Sequence, residues 1–278
     1  MVTEYRIYKP IKAIDFLKSM HLSSKNIYKL FSLNALSTTK IIKEQDILEN
    51  EILYINFSLL ETNEELVPVK GKIDIIYEDS NFIALDKKAN ILIHSDGITN
   101  NTLLNYVVYY LQDKYDDSYP RPLHRIDYEA QGVVLFSKNV LAQAYVSYLL
   151  ETNKVYKRYN VISMGHFPKE TNNIKLNIAK DRHNSKKYIV NANGKEAITN
   201  IKLIKYIKNN SLLDINIITG RPHQIRVTLS YLGYPIINDS LYNQNKVNGN
   251  LMLLSKEFKF TFNNETIDLI SKQNIEEL

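Results

Sequence analysis

Residues 124–138 read HRIDYEAQGVVLFSK and join a polar cluster directly to an apolar run. The run from Gly132 to Ser137 is typical of a strand that is buried on both faces. The polar cluster follows the extended stretch Pro120-Arg121-Pro122, and its chemically active side chains are those of His124, Arg125, Asp127 and Glu129. We therefore predict a site at the end of a core strand, the alternative for this segment alone being a salt-bridged surface turn.

A second polar segment, residues 220–226, reads GRPHQIR and opens a predicted helix over Gln224–Leu232. Arg221 stands just before this helix and Arg226 lies in its first turn. Because helix N-termini prefer anions, cations at these positions are unfavourable unless an anion neutralises them. This anion is either a phosphate or a buried carboxylate such as Asp127.

The chain is predicted to fold as two units joined by a linker. The division is 1–62 for a small N-terminal α/β unit, 63–71 for the linker and 72–278 for the second domain. In the first unit, apolar spacing indicates a helix over Ala13–Met20, a second helix that ends near Phe31, and a strand over Ile47–Phe57. The linker is acidic and then contains a proline and a glycine without periodicity.

Three turn signals in the second domain predict hairpins. They lie at Glu78–Asn81, Asn193-Gly194 and Asn263-Asn264. The Asn-Gly pair is the strongest of them, and it predicts that Tyr188–Asn191 pairs with Ala197–Ile207. Strands outnumber helices in this domain, so we predict an α+β fold with a mixed, mostly antiparallel sheet.

The composition of the 278 residues excludes several classes of protein. The apolar runs are far shorter than the roughly 18–20 residues that cross a bilayer. Charged residues are spread through about the first twenty positions of the chain. We therefore expect no membrane span, no secretion signal and a cytoplasmic location. The chain has no cysteine, which excludes disulfides, thiolate metal sites and cysteine nucleophiles. Its 6 histidines show no metal-binding spacing, so we expect no metal.

Positive charge is concentrated in one part of the chain. The net charge is +5, and residues 154–226 contain 15 Lys and Arg against 4 Asp and Glu. Tyrosines are interleaved with these cations, a pattern that suits a phosphate backbone with exposed bases. An AT-rich coding sequence, which enriches Asn, Ile and Lys together, would produce the same excess without selection for binding. The charge alone leaves both interpretations open.

Ordered motifs in the chain resemble those of the RluA family of pseudouridine synthases. Residues 124–138 are similar to its H-R-L-D-x-x-T-S-G-L-L-L-x-A-K motif, and residues 220–227 are similar to its G-R-T-H-Q-I-R-V motif. Residues 157–159 match the K-x-Y strand between them, and residues 239–242 match the downstream D-x-L-Y. The resemblance covers about residues 70–262.

The resemblance implies a catalytic domain of the pseudouridine-synthase type, which isomerises uridine to pseudouridine in structured RNA without a cofactor or a metal. By motif position, Asp127 is the catalytic carboxylate, acting through a covalent adduct or through proton abstraction. Arg226 is its matched ion partner, and Tyr159 is the aromatic residue that stacks on the target base. Arg125 would occupy the space that the flipped base vacates. The other positions matched to substrate binding are His124, Arg221, His223, Gln224 and Ile225.

Departures from the family pattern motivate alternatives. Ala130-Gln131 replaces Thr-Ser and Pro222 replaces Thr, so one alternative is an RNA-binding or ribosome-assembly protein that has lost catalysis. A hydrolase of acidic substrates that uses Asp127 and His223 is a third interpretation, although nothing specifies a water-activating pair. Residues 13–57 are similar in layout to the small ribosomal-protein-type RNA-binding domain often fused in front of these enzymes. The resemblance to the RluA family implies ribosomal RNA as the partner in preference to transfer RNA, and we expect the protein to be a monomer.

Overall fold

The N-terminal unit is a short mixed structure. The computed structural model describes residues 2–60, 66–245 and 249–277. In the first range the elements are β1 (Val2–Ile7), β2 (Ile11–Lys12), α1 (Ala13–Ser19), α2 (Ser24–Ser32), β3 (Leu36–Ser37), β4 (Ile47–Leu48) and β5 (Glu51–Asn56). β1 and β3 pair antiparallel with β5, and β2 pairs with β4. Both predicted helices are present, whereas the strand predicted over Ile47–Phe57 is divided at Asn50, whose φ is 49°.

The second domain is built on one large sheet. Its elements are β6 (Ile75–Glu78), β7 (Phe82–Lys87), α3 (Leu103–Asp113), β8 (Arg121–Pro122), β9 (Gln131–Ser137), α4 (Val140–Glu151), β10 (Tyr156–Met164), β11 (Glu170–Lys180), β12 (Tyr188–Val190), β13 (Lys195–Ile207), β14 (Asn210–Ile217), α5 (Gln224–Tyr231), β15 (Leu253–Phe262) and β16 (Glu265–Ile270). Across the described residues the strand order is β12-β11-β13-β14-β10-β15-β9-β7-β6, with β16 on β15 and β8 on β9. Every pairing in this sheet is antiparallel except that of β9 with β15. The predicted α+β fold with a mixed, mostly antiparallel sheet is confirmed.

The hairpin predicted around Asn193-Gly194 is wrong. β12 and β13 each pair antiparallel with β11, which lies between them in the described sheet. β11 alternates isoleucine and leucine with asparagine and lysine, a weak pattern that the stronger Asn-Gly signal obscured. The glycine is needed where the connection crosses β11, because a Cβ on Gly194 would lie 2.5 Å from the carbonyl carbon of Ile178.

The two units share a hydrophobic core. One cluster of buried side chains contains Tyr5 and Phe16 from the N-terminal unit together with Phe82 and Phe262 from the large sheet. The hydroxyl of Tyr5 also donates a hydrogen bond of 2.6 Å to the side chain of Asn81. The predicted end of the first unit at residue 62 and the first part of the linker lie outside the described ranges, and the division into domains stays a prediction.

Gly132 allows β9 and β15 to approach each other closely at the point where they pair. β9 and β15 pair over only two positions, Gln131 with Leu254 and Gly132 with Ser255. Gly132 has a φ of 105°, and a Cβ there would lie 2.2 Å from the carbonyl oxygen of Ser255. Only glycine meets both conditions. The polar segment that precedes β9 is therefore held close to β15.

Candidate active site

The two polar segments meet beside this junction. Asp127 lies in the loop before β9, and Arg226 lies in the first turn of α5. The Arg226 side chain is 1% exposed, and its Nη1 donates a hydrogen bond of 3.0 Å to Asp127 Oδ2. The structure thus brings together a carboxylate and a guanidinium that are 99 positions apart in the chain.

Arg226 is bound by three carboxylates. Asp239 accepts from Nε at 2.8 Å and from Nη2 at 2.7 Å, which occupies one edge of the guanidinium. Nη1 donates to Glu129 at 3.1 Å as well as to Asp127. Burial acts to lower the pKa of Arg226, but the hydrogen bond to Asp239 and the three negative charges raise it. Carboxylates therefore neutralise this buried cation.

Sequence reasoning placed Glu129 in the first polar segment and Asp239 in a matched motif, but it did not predict that either residue binds Arg226. Glu129 Oε1 accepts a hydrogen bond of 3.1 Å from the Ser240 hydroxyl. Asp239 Oδ1 accepts from the backbone N–H groups of Leu241 and Tyr242 at 3.0 and 3.1 Å. The two carboxylates join the loop of Asp127 to the segment 239–242. Both residues stand inside the matched motifs, but spacing alone does not tell which carboxylates share one arginine.

Tyr159 lies on β10, opposite Ser255 of β15. Its ring packs against a buried cluster that includes Val161 and Leu253, and it lines the same cavity as Asp127. Burial raises the pKa of Tyr159 to about 12; a hydrogen bond with Ser255 opposes this effect and the charge of Asp127 adds to it. The hydroxyl is therefore protonated at neutral pH and sits within the electrostatic influence of Asp127.

The site opens into a cavity of about 830 Å³. Asp127 and Tyr159 lie on its wall, together with the cationic side chains of Arg125, Lys157 and Arg221. A cavity of this volume is within the range that binds drug-sized ligands, and its cations suit an anionic one. A nucleotide with its phosphates meets both conditions.

Arg125 and Arg221 differ in how they are held. Arg125 is exposed, and its Nη1 lies 3.4 Å from Nε2 of His94, another residue of the cavity. Arg221 is partly buried, and its Nε donates to the backbone oxygen of Glu196 on β13 at 2.8 Å. Both arginines border the cavity, so their predicted contact with substrate stays open to test.

The His124 ring contacts β9 and β15 at the start of the loop that contains Asp127. Its Nε2 accepts a hydrogen bond of 3.2 Å from the backbone N–H of Leu135, and its ring stacks on Phe258 with centroids 4.3 Å apart. Burial, with a smaller effect from the charge of Lys157, lowers the pKa of His124 to about 3. The neutral ring borders the cavity, and its binding of substrate stays a prediction.

Gln224 and Ile225 are buried in the first turn of α5. The amide nitrogen of Gln224 donates to Ile198 O and Thr199 Oγ1, both at 3.0 Å. Its amide oxygen accepts from Thr219 Oγ1 at 2.9 Å and from the backbone N–H of Arg221 at 3.0 Å. These four bonds use the amide's hydrogen-bonding capacity. The side chain of Ile225 belongs to the core, so substrate contact by these two residues also stays a prediction.

His223 has an unusual backbone conformation for its residue type. It precedes α5 with φ 53° and ψ 21°, in the left-handed region. Its Nδ1 lies 2.8 Å from the hydroxyl oxygen of Tyr242, and its ring borders the cavity. Burial lowers the pKa of His223, with the charge of Asp127 acting against that effect and the charge of Arg226 reinforcing it.

Two buried lysines donate hydrogen bonds to backbone oxygens in or near the two polar segments. Lys87 Nζ donates to the backbone oxygens of Lys88, Tyr128 and Ala130 at 3.1, 2.9 and 2.6 Å. Lys157 Nζ donates to the oxygens of Ile218 and Thr219 at 3.3 and 3.4 Å. Burial lowers the pKa of Lys87 to about 7 and that of Lys157 to about 8. Motif matching included Lys157 without indicating this role.

The described ranges contain neither a cluster of side chains suited to a metal ion nor a helix suited to crossing a membrane. No three His, Asp or Glu side chains of residues 2–60, 66–245 and 249–277 come together as metal ligands would. Across the same residues, the helices are too short or too polar to reach from one side of a membrane to the other.

Residues 81–231 match the sequence profile of the family described as RNA pseudouridylate synthase. The chain belongs to this family. The match spans more than half of the chain and includes both polar segments that form the site. It confirms the resemblance that the ordered motifs predicted.

Similar proteins carry related names. Ribosomal large subunit pseudouridine synthase D of Borreliella burgdorferi is 34% identical over 207 residues, which cover 69% of this chain and 63% of that protein. YhcT of Bacillus subtilis, described as an uncharacterized RNA pseudouridine synthase, is 33% identical over 181 residues, covering 64% of this chain and 60% of that protein. The chain thus spans a little under two thirds of the length of these curated relatives.

Solved structures share the fold. Human RNA pseudouridylate synthase domain containing 1 superposes with a TM-score of 0.64 at 19% identity, covering 73% of this chain and 84% of that chain. Human RNA pseudouridylate synthase domain containing 4 gives a TM-score of 0.61, also at 19% identity, over 72% of this chain and 88% of that chain. At this identity the likeness concerns the fold alone.

Proposed function

We propose that this protein isomerises uridine to pseudouridine in RNA, with ribosomal RNA as its substrate. One observation carries the proposal: Asp127 contacts the buried Arg226 at 3.0 Å on the wall of a cavity that also contains Tyr159. A carboxylate, an aromatic ring and several cations around one cavity suit a nucleotide that has left its stack. Membership of the family and a relative named for the ribosomal large subunit support the proposal.

The reaction needs a carboxylate close to the sugar. Isomerisation breaks the bond between ribose C1′ and uracil N1 and joins C1′ to C5; C5 then loses its proton and N1 carries one in the product. Asp127 has one oxygen bonded to Arg226, and its Oδ1 makes no hydrogen bond to any residue of the described ranges. That oxygen is available to trap or stabilise an electron-poor sugar carbon, or to accept a proton from it. Tyr159 would stack on the base and keep it within reach.

Basic side chains would hold the RNA around the flipped nucleotide. Phosphate contacts dominate the affinity of most RNA complexes and position the substrate without reading its sequence. Arg125, Lys157 and Arg221 line the cavity, and exposed lysines such as Lys175 and Lys180 continue along β11. A ribosomal RNA substrate would place this activity in the cytoplasm, with one copy of the chain acting at each uridine.

The experiment that tests the proposal maps pseudouridines in ribosomal and transfer RNA from cells with and without the gene. Deletion should remove pseudouridine from one or a few ribosomal positions, and expression of the wild-type protein should restore it. An otherwise identical strain that expresses Asp127→Asn should not restore it, because that variant keeps the shape of the side chain and loses its negative charge.

Three results would argue against the proposal. Unchanged ribosomal and transfer RNA in the deletion strain would remove the activity and favour the non-catalytic RNA-binding alternative. Loss of pseudouridine from transfer RNA alone would reassign the substrate. Full restoration by Asp127→Asn would remove Asp127 from the chemistry.

A further inference from the structure

Tyr242 contacts two segments of the site through its hydroxyl group and a third through its backbone N–H. Its oxygen accepts a hydrogen bond of 2.8 Å from the backbone N–H of Tyr188, the first residue of β12. The same oxygen lies 2.8 Å from Nδ1 of His223. The backbone N–H of Tyr242 donates to Asp239, the carboxylate that accepts a hydrogen bond from Arg226. Neither the predictions from sequence nor the reaction described above uses Tyr242.

The direction of the bond between Tyr242 and His223 follows from the first of these contacts. A phenolic oxygen carries one proton and accepts a hydrogen bond on its remaining side. Because the N–H of Tyr188 already occupies the accepting side, the hydroxyl proton is left to point at Nδ1 of His223. Burial raises the pKa of Tyr242 to about 12, so this proton is retained at neutral pH.

His223 then has one possible arrangement of its own proton. A neutral imidazole carries a single N–H, and the nitrogen that accepts a hydrogen bond cannot be the one that carries it. With Nδ1 accepting from Tyr242, the proton resides on Nε2. Nε2 makes no hydrogen bond to a residue in the described part of the chain, and the ring borders the cavity. His223 therefore offers an unused N–H donor to whatever enters.

The charged groups around His223 indicate which kind of group accepts a hydrogen bond from its Nε2–H. The charged groups that act on His223 are Asp127, Arg226, Asp239 and Glu129, which form the centre of the site. A uracil base presents two carbonyl oxygens, and it gains negative charge as the bond from C1′ to N1 breaks. A hydrogen bond from a fixed donor to such an oxygen becomes stronger as the bond from C1′ to N1 breaks. It therefore stabilises the transition state more than the bound substrate, which raises the rate more than the affinity.

We propose that Tyr242 is a positioning residue that holds His223 as its Nε2–H tautomer, so that this N–H donates a hydrogen bond to a carbonyl oxygen of the target base. The proposal rests on the proposed function for the identity of the base. The tautomer itself is a property of the free protein. The two parts can therefore be tested separately.

The tautomer is tested by nitrogen-15 NMR of the histidine rings in the full chain without RNA. Wild-type His223, identified by the signal that is lost in His223→Gln, should show the Nε2–H tautomer. In Tyr242→Phe, which keeps the ring 5.4 Å from the Arg226 guanidinium but has no hydroxyl, the Nδ1–H form should appear. A wild-type ring protonated on Nδ1, or a spectrum unchanged in Tyr242→Phe, would overturn the proposal whether or not the protein modifies RNA.

The base contact is tested by single-turnover rates and RNA affinity. Tyr242→Phe should lower the rate about tenfold and leave Kd nearly unchanged, with a small fall in Tm because the backbone N–H of Tyr188 loses its acceptor. His223→Asn, whose amide oxygen can replace Nδ1 as the acceptor from Tyr242 but which has no group at the position of Nε2, should lower the rate by about a hundredfold. His223→Gln places its N–H near the position of Nε2 and should lose less. Tyr231→Phe, at an exposed tyrosine on the same helix, is the matched control and should behave as wild type.

The double variant separates positioning from tethering. Because glutamine needs no tautomer to be fixed, Tyr242→Phe added to His223→Gln should change the rate by less than about threefold. A tenfold loss in that background, or a loss confined to Kd and Tm, would show that Tyr242 only ties β12 to α5 and would refute the proposal. An inactive wild-type protein would refute the proposed function and the base contact, and the NMR result would still decide the tautomer.

Discussion

At the scale of single residues, Arg226 determines how Asp127 is presented. Asp239 occupies Nε and Nη2 of the guanidinium, so Asp127 and Glu129 share Nη1. Asp127 is consequently held at one oxygen only, which leaves the other for chemistry. The motif match predicted the pair of Asp127 with Arg226. It could not predict that Glu129 competes for the same nitrogen, because spacing does not report the direction in which a side chain points.

Tyr159 tests the aromatic part of the site. We expect Tyr159→Phe to bind RNA with wild-type affinity, since it keeps the stacking face, and to react more slowly if the hydroxyl takes part in proton transfer. Because the ring is retained, the unfolding free energy should change by less than about 1 kcal/mol. Single-turnover rates, RNA affinity and urea unfolding measure the three effects.

Tyr156→Phe is the control for this prediction, because Tyr156 lies on the same strand and is exposed. Tyr159→Ala is less informative than Tyr159→Phe. The ring also packs against the core, so its removal should lower stability as well as capture of the base. A Tyr159→Phe protein with the wild-type rate would exclude a role for the hydroxyl.

His124 gives a prediction for pH. Its pKa is about 3 in the folded chain and roughly 6.5 when unfolded, so the unfolded chain takes up this proton first as pH falls. The residue's contribution to stability is complete above pH 6.5 and declines toward pH 3, by about 2 kcal/mol at pH 5. Urea unfolding at pH 7, 6 and 5 should show a smaller acid loss in His124→Gln, whose side chain can still accept from the N–H of Leu135.

The exposed His183 provides the control. His183→Gln should retain the pH dependence of the wild type, because this residue has no buried ring to desolvate. Identical pH dependence in His124→Gln and wild type would show that His124 takes up its proton equally in both states and would contradict the structural role.

At the scale of secondary-structure elements, local signals predicted single elements well and their partners less well. The helices near Ala13 and Ser24 and the strand after Gly132 follow from apolar spacing and caps, which act over a few residues. The neighbours of a strand depend on contacts that are distant in the chain. The Asn-Gly signal therefore predicted a turn at the correct place and the wrong pairing, since β11 lies between β12 and β13.

The contact between β9 and β15 gives a prediction at this scale. Gly132→Ala should lower the unfolding free energy by about 2–4 kcal/mol, because it combines a positive φ with a clash against the backbone of Ser255. Gly233→Ala is the matched control: its φ is 86°, but among the described residues no atom beyond its neighbours in the chain lies within 4 Å of the added Cβ, so about 1 kcal/mol is expected. Urea unfolding compares them, and equal losses would mean that the close approach adds nothing.

At the scale of the whole molecule, the N-terminal unit and the large sheet are joined by buried aromatic packing as well as by the chain. Tyr5 lies 6.4 Å from Phe262 between ring centroids, and His21 stacks on Tyr148 at 3.5 Å. The sequence predicted a separate first domain because the linker segment marks a change in composition. It could not predict the shared core, since the apolar faces that meet there belong to elements distant in the chain.

Charge distribution gives the prediction for RNA binding. Affinity should fall steeply between about 50 and 200 mM salt, with a log–log slope near −0.7 for each single-strand phosphate contacted. The double reversal Lys180→Glu with Lys186→Glu, at exposed positions in the basic part of the chain, should weaken binding and reduce this slope. The same reversal at the exposed Lys25 and Lys40 of the N-terminal unit is the control and should have a smaller effect. A flat salt dependence would attribute the basic excess to coding composition.

The central claim is that the Asp127 carboxylate isomerises uridine, and the most direct test is release of tritium from RNA labelled at C5 of uridine. The hydrogen on C5 leaves when that carbon joins C1′, so purified wild-type protein should release tritium into water. Asp127→Asn should bind the RNA within a few-fold of wild type and release none. Glu129→Gln, which removes the other carboxylate on the same Arg226 nitrogen, should slow release less. Release at the wild-type rate by Asp127→Asn would contradict the claim.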